Sequence, residues 1–123
     1  MEFYQEVHSA NADVMSLKKL LTINSLTSLC ASISTLATPK ENEGDIYCIW
    51  GEFHVKREEI RNGVRYSLLD CPHALAWTIT LDEISQNVII HCTIDKTDAD
   101  SDFVDSIHEF VQDWSNGIAE ALQ

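Results

Sequence analysis

From about Asp13 to Leu36 the apolar residues return at steps of three and four: Val14, Leu17, Leu21, then Leu26, Leu29, Cys30, Ile33 and Leu36. That spacing predicts an N-terminal helix. Asn11 or Asp13 can cap its start, because a short polar side chain accepts from the orphan amides of a first turn. The Ser and Thr residues between Thr22 and Thr35 weaken helix propensity and allow a break near Thr22–Ser25. Pro39 ends the segment, and a polar loop follows from Lys40 to Gly44.

The period then changes from helical to two. Between Ile46 and Val55, Tyr47, Ile49, Phe53 and Val55 read as one face and Glu52, His54 and Lys56 as the other. Arg61-Asn62-Gly63 is a turn, since Asn-Gly readily adopts the positive φ of a tight hairpin. Val64, Tyr66 and Leu68 form the returning strand, and Cys71-Pro72-His73 breaks it. Leu75, Trp77, Ile79 and Leu81 alternate with Ala76, Thr78 and Thr80, and a turn at Ser85–Asn87 leads into Val88–Ile94. The expected sheet is a four-stranded antiparallel meander. Phe103, Ile107, Phe110, Val111, Trp114, Ile118 and Leu122 then make one apolar stripe, a C-terminal amphipathic helix to be packed on the sheet. The pattern as a whole is a single α+β domain over residues 1–123.

Composition agrees with that reading. With 45% hydrophobic and 23% charged residues, 2 prolines and 4 glycines, the 123-residue chain has the makings of one core and no long linker. No stretch is apolar enough to span a bilayer, and Met1–Val7 lacks the basic cluster that opens a signal peptide. Cys30, Cys48, Cys71 and Cys92 lie in apolar contexts without a CxxC pair, so buried free thiols in a reducing cytoplasm are expected.

The net charge of −12 alters the functional picture. It argues against nucleic acid and anionic membranes as partners, which both need Lys and Arg to neutralise phosphate. From Asp95 to Gln123, eight acids face one base, Lys96. Asp98, Asp100 and Asp102 precede or begin the last helix, where the helix dipole favours negative charge.

The candidate chemistry is sparse. Asp98, Asp100, Asp102 and Glu109 partly match a calcium-binding loop, but Phe103 stands where that loop needs glycine. Zinc spacing is lacking, and the adjacent His91 and Cys92 would point to opposite faces of a strand. Cys71 with His73 or His91 could form a nucleophilic pair, although the sequence supplies no orienting third group. No phosphate-binding, dinucleotide or hydrolase motif is present. An enzyme is not expected, nor is a cofactor. Trp77 and Trp114 fall on inner faces. Trp50 is either an exposed interface anchor beside Glu52 and His54, or is covered by a second layer such as the first helix. Lys56, Arg57, Arg61 and Arg65 form a small basic island, either solvated or paired with the acidic end of a second copy in a homodimer.

Trp50-Gly51-Glu52-Phe53, Gly63-Val64-Arg65-Tyr66-Ser67-Leu68, Ala76-Trp77-Thr78-Ile79, Ile90-His91-Cys92 and the helix Phe103–Leu122 together resemble the small acidic immunity proteins of bacterial contact-dependent growth inhibition. That resemblance implies a cytoplasmic antidote that occludes a basic toxin domain, often a nuclease. Asp95, Asp98, Asp100, Asp102 and Asp105, with Trp50, are the expected partner-binding residues. Small acidic helix–sheet–helix chains are also similar to type III secretion chaperones, which would imply a homodimer holding an effector segment in an apolar groove.

Overall fold

The computed structural model describes residues 1–95 and 100–123. In chain order it has β1 (Glu2–His8), α1 (Val14–Leu20), α2 (Leu26–Leu29), β2 (Ile33–Ala37), β3 (Glu43–Cys48), β4 (Gly51–Ile60), β5 (Gly63–Leu68), β6 (Ala76–Asp82), β7 (Asn87–Thr93) and α3 (Ser101–Ala121). All strands join one antiparallel sheet in the order β1-β7-β6-β5-β4-β3-β2. The sheet curls into a half barrel, and its concave side is filled by the helices.

The class is α+β, but the four-stranded meander behind a long N-terminal helix is corrected to seven strands. Three local features account for the difference. Glu2–His8 is a strand whose inner row holds only Phe3, Gln5 and Val7, so its alternation is faint. The segment read as one helix is two short ones followed by β2. Asp13 does cap α1, its Oδ1 accepting from Ser16 N at 2.7 Å. The break falls at Thr22–Ser25, where the Ser25 amide donates to Thr22 Oγ1 and the Thr22 amide to Ser25 Oγ. These reciprocal bonds satisfy the backbone groups that a continuous helix would have paired. Third, Ile46–Val55 is a hairpin, not a strand. Its turn at Ile49-Trp50 reverses the faces, so Ile46 and Cys48 point inward while Tyr47 and Ile49 are exposed.

The turn at Asn62 falls where it was expected, yet neither Asn62 nor Gly63 has positive φ. Gly63 is needed for proximity: a Cβ there would lie 1.9 Å from the Ile79 carbonyl oxygen. The apolar stripe of α3 is buried through Ile107, Phe110, Val111, Trp114 and Ile118. It packs against β1 and β7. Tyr66, Trp77, Phe110 and Trp114 fill the space between sheet and helix, each no more than 1% exposed. Their ring centroids lie 4.9–6.1 Å apart, within the range of favourable aromatic pairs. No helix is long and apolar enough to cross a membrane among the described residues.

Candidate functional site

Burying one stripe of α3 leaves the opposite face in water, and that face is acidic. Asp102, Asp105, Glu109 and Glu120 are exposed and Asp113 is half-buried, while the helix contains no Lys or Arg. Asp100 is the N-cap, its carboxylate accepting from the Asp102 amide at 3.4 Å. Asp113 accepts from Ser32 Oγ at 2.5 Å, tying α3 to the start of β2. Among the described residues no carboxylate of α3 enters an ion pair; the five pairs found all lie on β1, β3, β4, β5 and β7. Negative charge at Asp100 and Asp102 suits the helix dipole, whereas Glu120 in the last turn opposes it. At Asp105, Glu109 and Glu120 this face therefore carries charge that serves no cap and no ion pair among the described residues.

Asp95 is exposed just after β7, its amide donating to the His73 carbonyl at 3.0 Å. Asp98 lies outside the described residues. Asp100, Asp102 and Asp105 sit together at the start of α3, with Asp95 preceding them. Trp50 stands apart from them in role. Half-buried, it packs its ring on Phe110 and Phe103, at centroid distances of 4.9 and 5.9 Å. Its Nε1 donates to Ser106 Oγ at 2.8 Å. The layer that covers it is α3, not the first helix.

The other candidates resolve as follows. Cys71 is half-buried, but neither His73 nor His91 hydrogen-bonds to it among the described residues. His73 stacks on Phe103, and His91 stacks on Tyr4 and meets Glu2 at 3.1 Å on the outer sheet face. His91 and Cys92 do point to opposite faces. Among the described residues no three His, Cys, Asp or Glu side chains are grouped to hold a metal ion. The basic island is dispersed. Arg57 turns inward and donates to Leu21 O at 2.6 Å and Lys18 O at 3.0 Å, closing the end of α1. Arg65 faces Glu58 at 3.9 Å.

The sequence reading missed one cluster. On the outer face His54 bridges two carboxylates, Nε2 to Glu43 at 2.8 Å and Nδ1 to Asp45 at 2.9 Å. Hydrogen bonds donated to the Glu43 and Asp45 carboxylates raise the His54 pKa. The His54 bond holds Glu43 below its usual range, and Asp45 is lowered by the Thr38 hydroxyl and then by His54. The Glu43-x-Asp45 spacing was a signal in plain sight. It becomes legible only once β3 and β4 are paired as a hairpin. A hollow of about 420 Å³ beside this cluster is lined by Thr35, Tyr47, Glu52 and Asp70 among others.

No family model matches the chain, and no curated protein matches it. Among solved structures it is similar to an uncharacterised protein from Bacillus thuringiensis, with a TM-score of 0.65 and 13% identity. The likeness covers 99% of this chain and 97% of the other, and it shows the fold alone.

Proposed function

We propose that this chain is a cytoplasmic protein-binding module that neutralises a basic toxin domain by covering its charged surface, in the manner of an immunity protein. The observation that carries the reading is the acidic face of α3, whose carboxylates enter no ion pair among the described residues. A helix without a single Lys or Arg and with Glu120 against its own dipole gives up stability for charge. Charge of one sign on one face steers a basic partner and raises the association rate. A nuclease is a fitting target, because a phosphate-binding cleft must be basic. The chaperone alternative needs an open apolar groove; the concave side, filled by Tyr66, Trp77, Phe110 and Trp114, argues against it.

The test is a triple substitution, Asp100→Asn, Asp102→Asn and Asp105→Asn. Asparagine caps a helix about as well as aspartate, so the fold is retained. The wild-type chain, used as bait in lysate of its source, should capture a basic protein that salt releases, and purified bait should inhibit it. The triple variant should bind that protein at least about tenfold more weakly, about 1.4 kcal/mol. Undiminished affinity would exclude this face, and capture of no basic protein would count against the proposal as a whole.

A further inference from the structure

An open sheet has two edges, and this chain treats them differently. β1 carries Glu2 and Glu6, whereas a helix packs against each edge strand, α3 on β1 and α2 on β2. Charges and covering elements are how proteins keep a sheet edge from pairing with another chain. β2, at the other edge, has neither charge nor proline: Ile33-Ser34-Thr35-Leu36-Ala37. Ser34, Thr35 and Ala37 are exposed. The bulge between Ile33 and Thr35 confines regular pairing to Thr35–Ala37, and beyond them Thr38 is held at a φ of 45°. A β-branched residue adopts that conformation only under constraint, and such strain gathers at functional sites. Here it directs the Thr38 hydroxyl to Asp45.

The outer face beside this edge is acidic and aromatic. Thr35 pairs with Tyr47 and Ala37 with Asp45, so small side chains stand between the open edge and these two groups. Tyr47 is 53% exposed, and Glu52 and Asp70 add negative charge around the same hollow, which His54 also lines while bonded to Asp45. An added strand would place side chains opposite Thr35 and Ala37, two strand spacings of about 4.8 Å from β3. A long Lys or Arg reaches across that gap toward the Tyr47 ring and the Asp45 carboxylate; a short side chain does not.

We propose that the β2 edge takes up an extended segment of a partner protein as an eighth strand, with Lys or Arg at alternate positions on the outer face. Main-chain pairing supplies affinity and the alternating bases supply selectivity. A second copy of the chain fits poorly, because two-fold pairing of β2 with itself would bring two acidic hollows together. This surface is distinct from the acidic face of α3 and does not depend on the role given to that face.

The experiment uses the full chain and an eight-residue peptide of alternating lysine and valine, with its ends blocked. Backbone amide shifts and hydrogen exchange report where it binds. Protection should rise at residues 34–38. A glutamate–valine peptide, and a lysine–valine peptide with the residues in two blocks, should bind at least about tenfold more weakly. Ala37→Lys, at an exposed position, should reduce binding by a similar factor with an unchanged melting temperature. The α3 triple variant should retain it, which separates this proposal from the one above. Equal binding of the block peptide, or shifts confined to α3, would overturn the proposal. Self-association abolished by Ala37→Lys would overturn it too and assign the edge to a second copy.

Discussion

Gly117 lies within α3, where glycine costs about 1 kcal/mol relative to alanine. A surface-like reading would therefore make Gly117→Ala stabilising. The structure says otherwise. A Cβ at residue 117 would stand 1.7 Å from the Leu29 carbonyl oxygen and 2.6 Å from its carbon, both backbone atoms of α2. Ordinary contact begins near 3.4 Å, so α2 and α3 would have to separate by up to 3.4 − 1.7 = 1.7 Å. Neither atom is the end of a flexible side chain. Leu29 is anchored in the core and Ile33 follows closely behind it. Overpacking of this kind costs about 1–3 kcal/mol or more, and a backbone clash belongs at the upper end. Against the propensity gain of about 1 kcal/mol, the net loss should be about 2 kcal/mol. For a domain of this size that is a fall of roughly 6–10 °C in Tm. Thermal and urea unfolding followed by circular dichroism would measure it, with an unchanged m-value expected. A Tm equal to or above wild type would refute the close α2–α3 approach on which the argument depends.

Trp50→Phe keeps the ring contacts with Phe103 and Phe110 but loses the bond to Ser106. It should cost about 0.5–1.5 kcal/mol, and a double-mutant cycle with Ser106→Ala should show coupling. Of the four thiols, Cys71 alone should react with a disulfide reagent in the folded protein; Cys30 and Cys92 are 0% exposed, with pKa values that burial pushes up to about 12. Labelling of more than one thiol before unfolding would contradict that burial. The His54 cluster makes stability depend on pH in both directions. The raised His54 contributes fully below its ordinary 6.5 and loses that contribution as pH rises through its folded value. Glu43 and Asp45 contribute above their ordinary 4.5 and 3.8, and lose it as pH falls through their lowered values. The Tm difference between wild type and His54→Gln should thus be largest between about pH 5 and 6.5 and shrink at pH 8.5; a constant difference would dismiss the bridge.

What the sequence disclosed depended on how strongly each element repeats itself. The long stripe of α3 and the alternation Leu75–Leu81 are unambiguous, because burial is demanded at every period. Short elements give too few repeats. Seven residues of β1 hold two apolar positions facing inward, and the helical spacing of Val14–Leu36 is matched by accident across two helices and a strand. The face assignment around Tyr47 failed for another reason: a hairpin with Ile49-Trp50 at its tip leaves no Asn-Gly or proline to announce it. The acidic residues before and in α3 were legible as charge. That the carboxylates of α3 enter no ion pair among the described residues was not, since it depends on where the Lys and Arg side chains come to rest.

Residues 2–8 pair with residues 87–93, so the first of the seven strands in chain order joins the last. Local contacts cannot guide that step, and a large loop must close before it brings any return. The strands from β2 to β7 form a ladder in which each pairs with its neighbour in sequence, so their contacts are local. β1 must wait, and until it docks β7 is a bare edge with α3 lacking the strand it packs on. Substitutions in β1, such as Val7→Ala, should speed unfolding and leave the refolding rate nearly unchanged if the strand docks after the barrier. An equal fall in the refolding rate would place it within the nucleus. Either way, a chain whose ribosome has paused short of residue 87 holds a strand with nowhere to go.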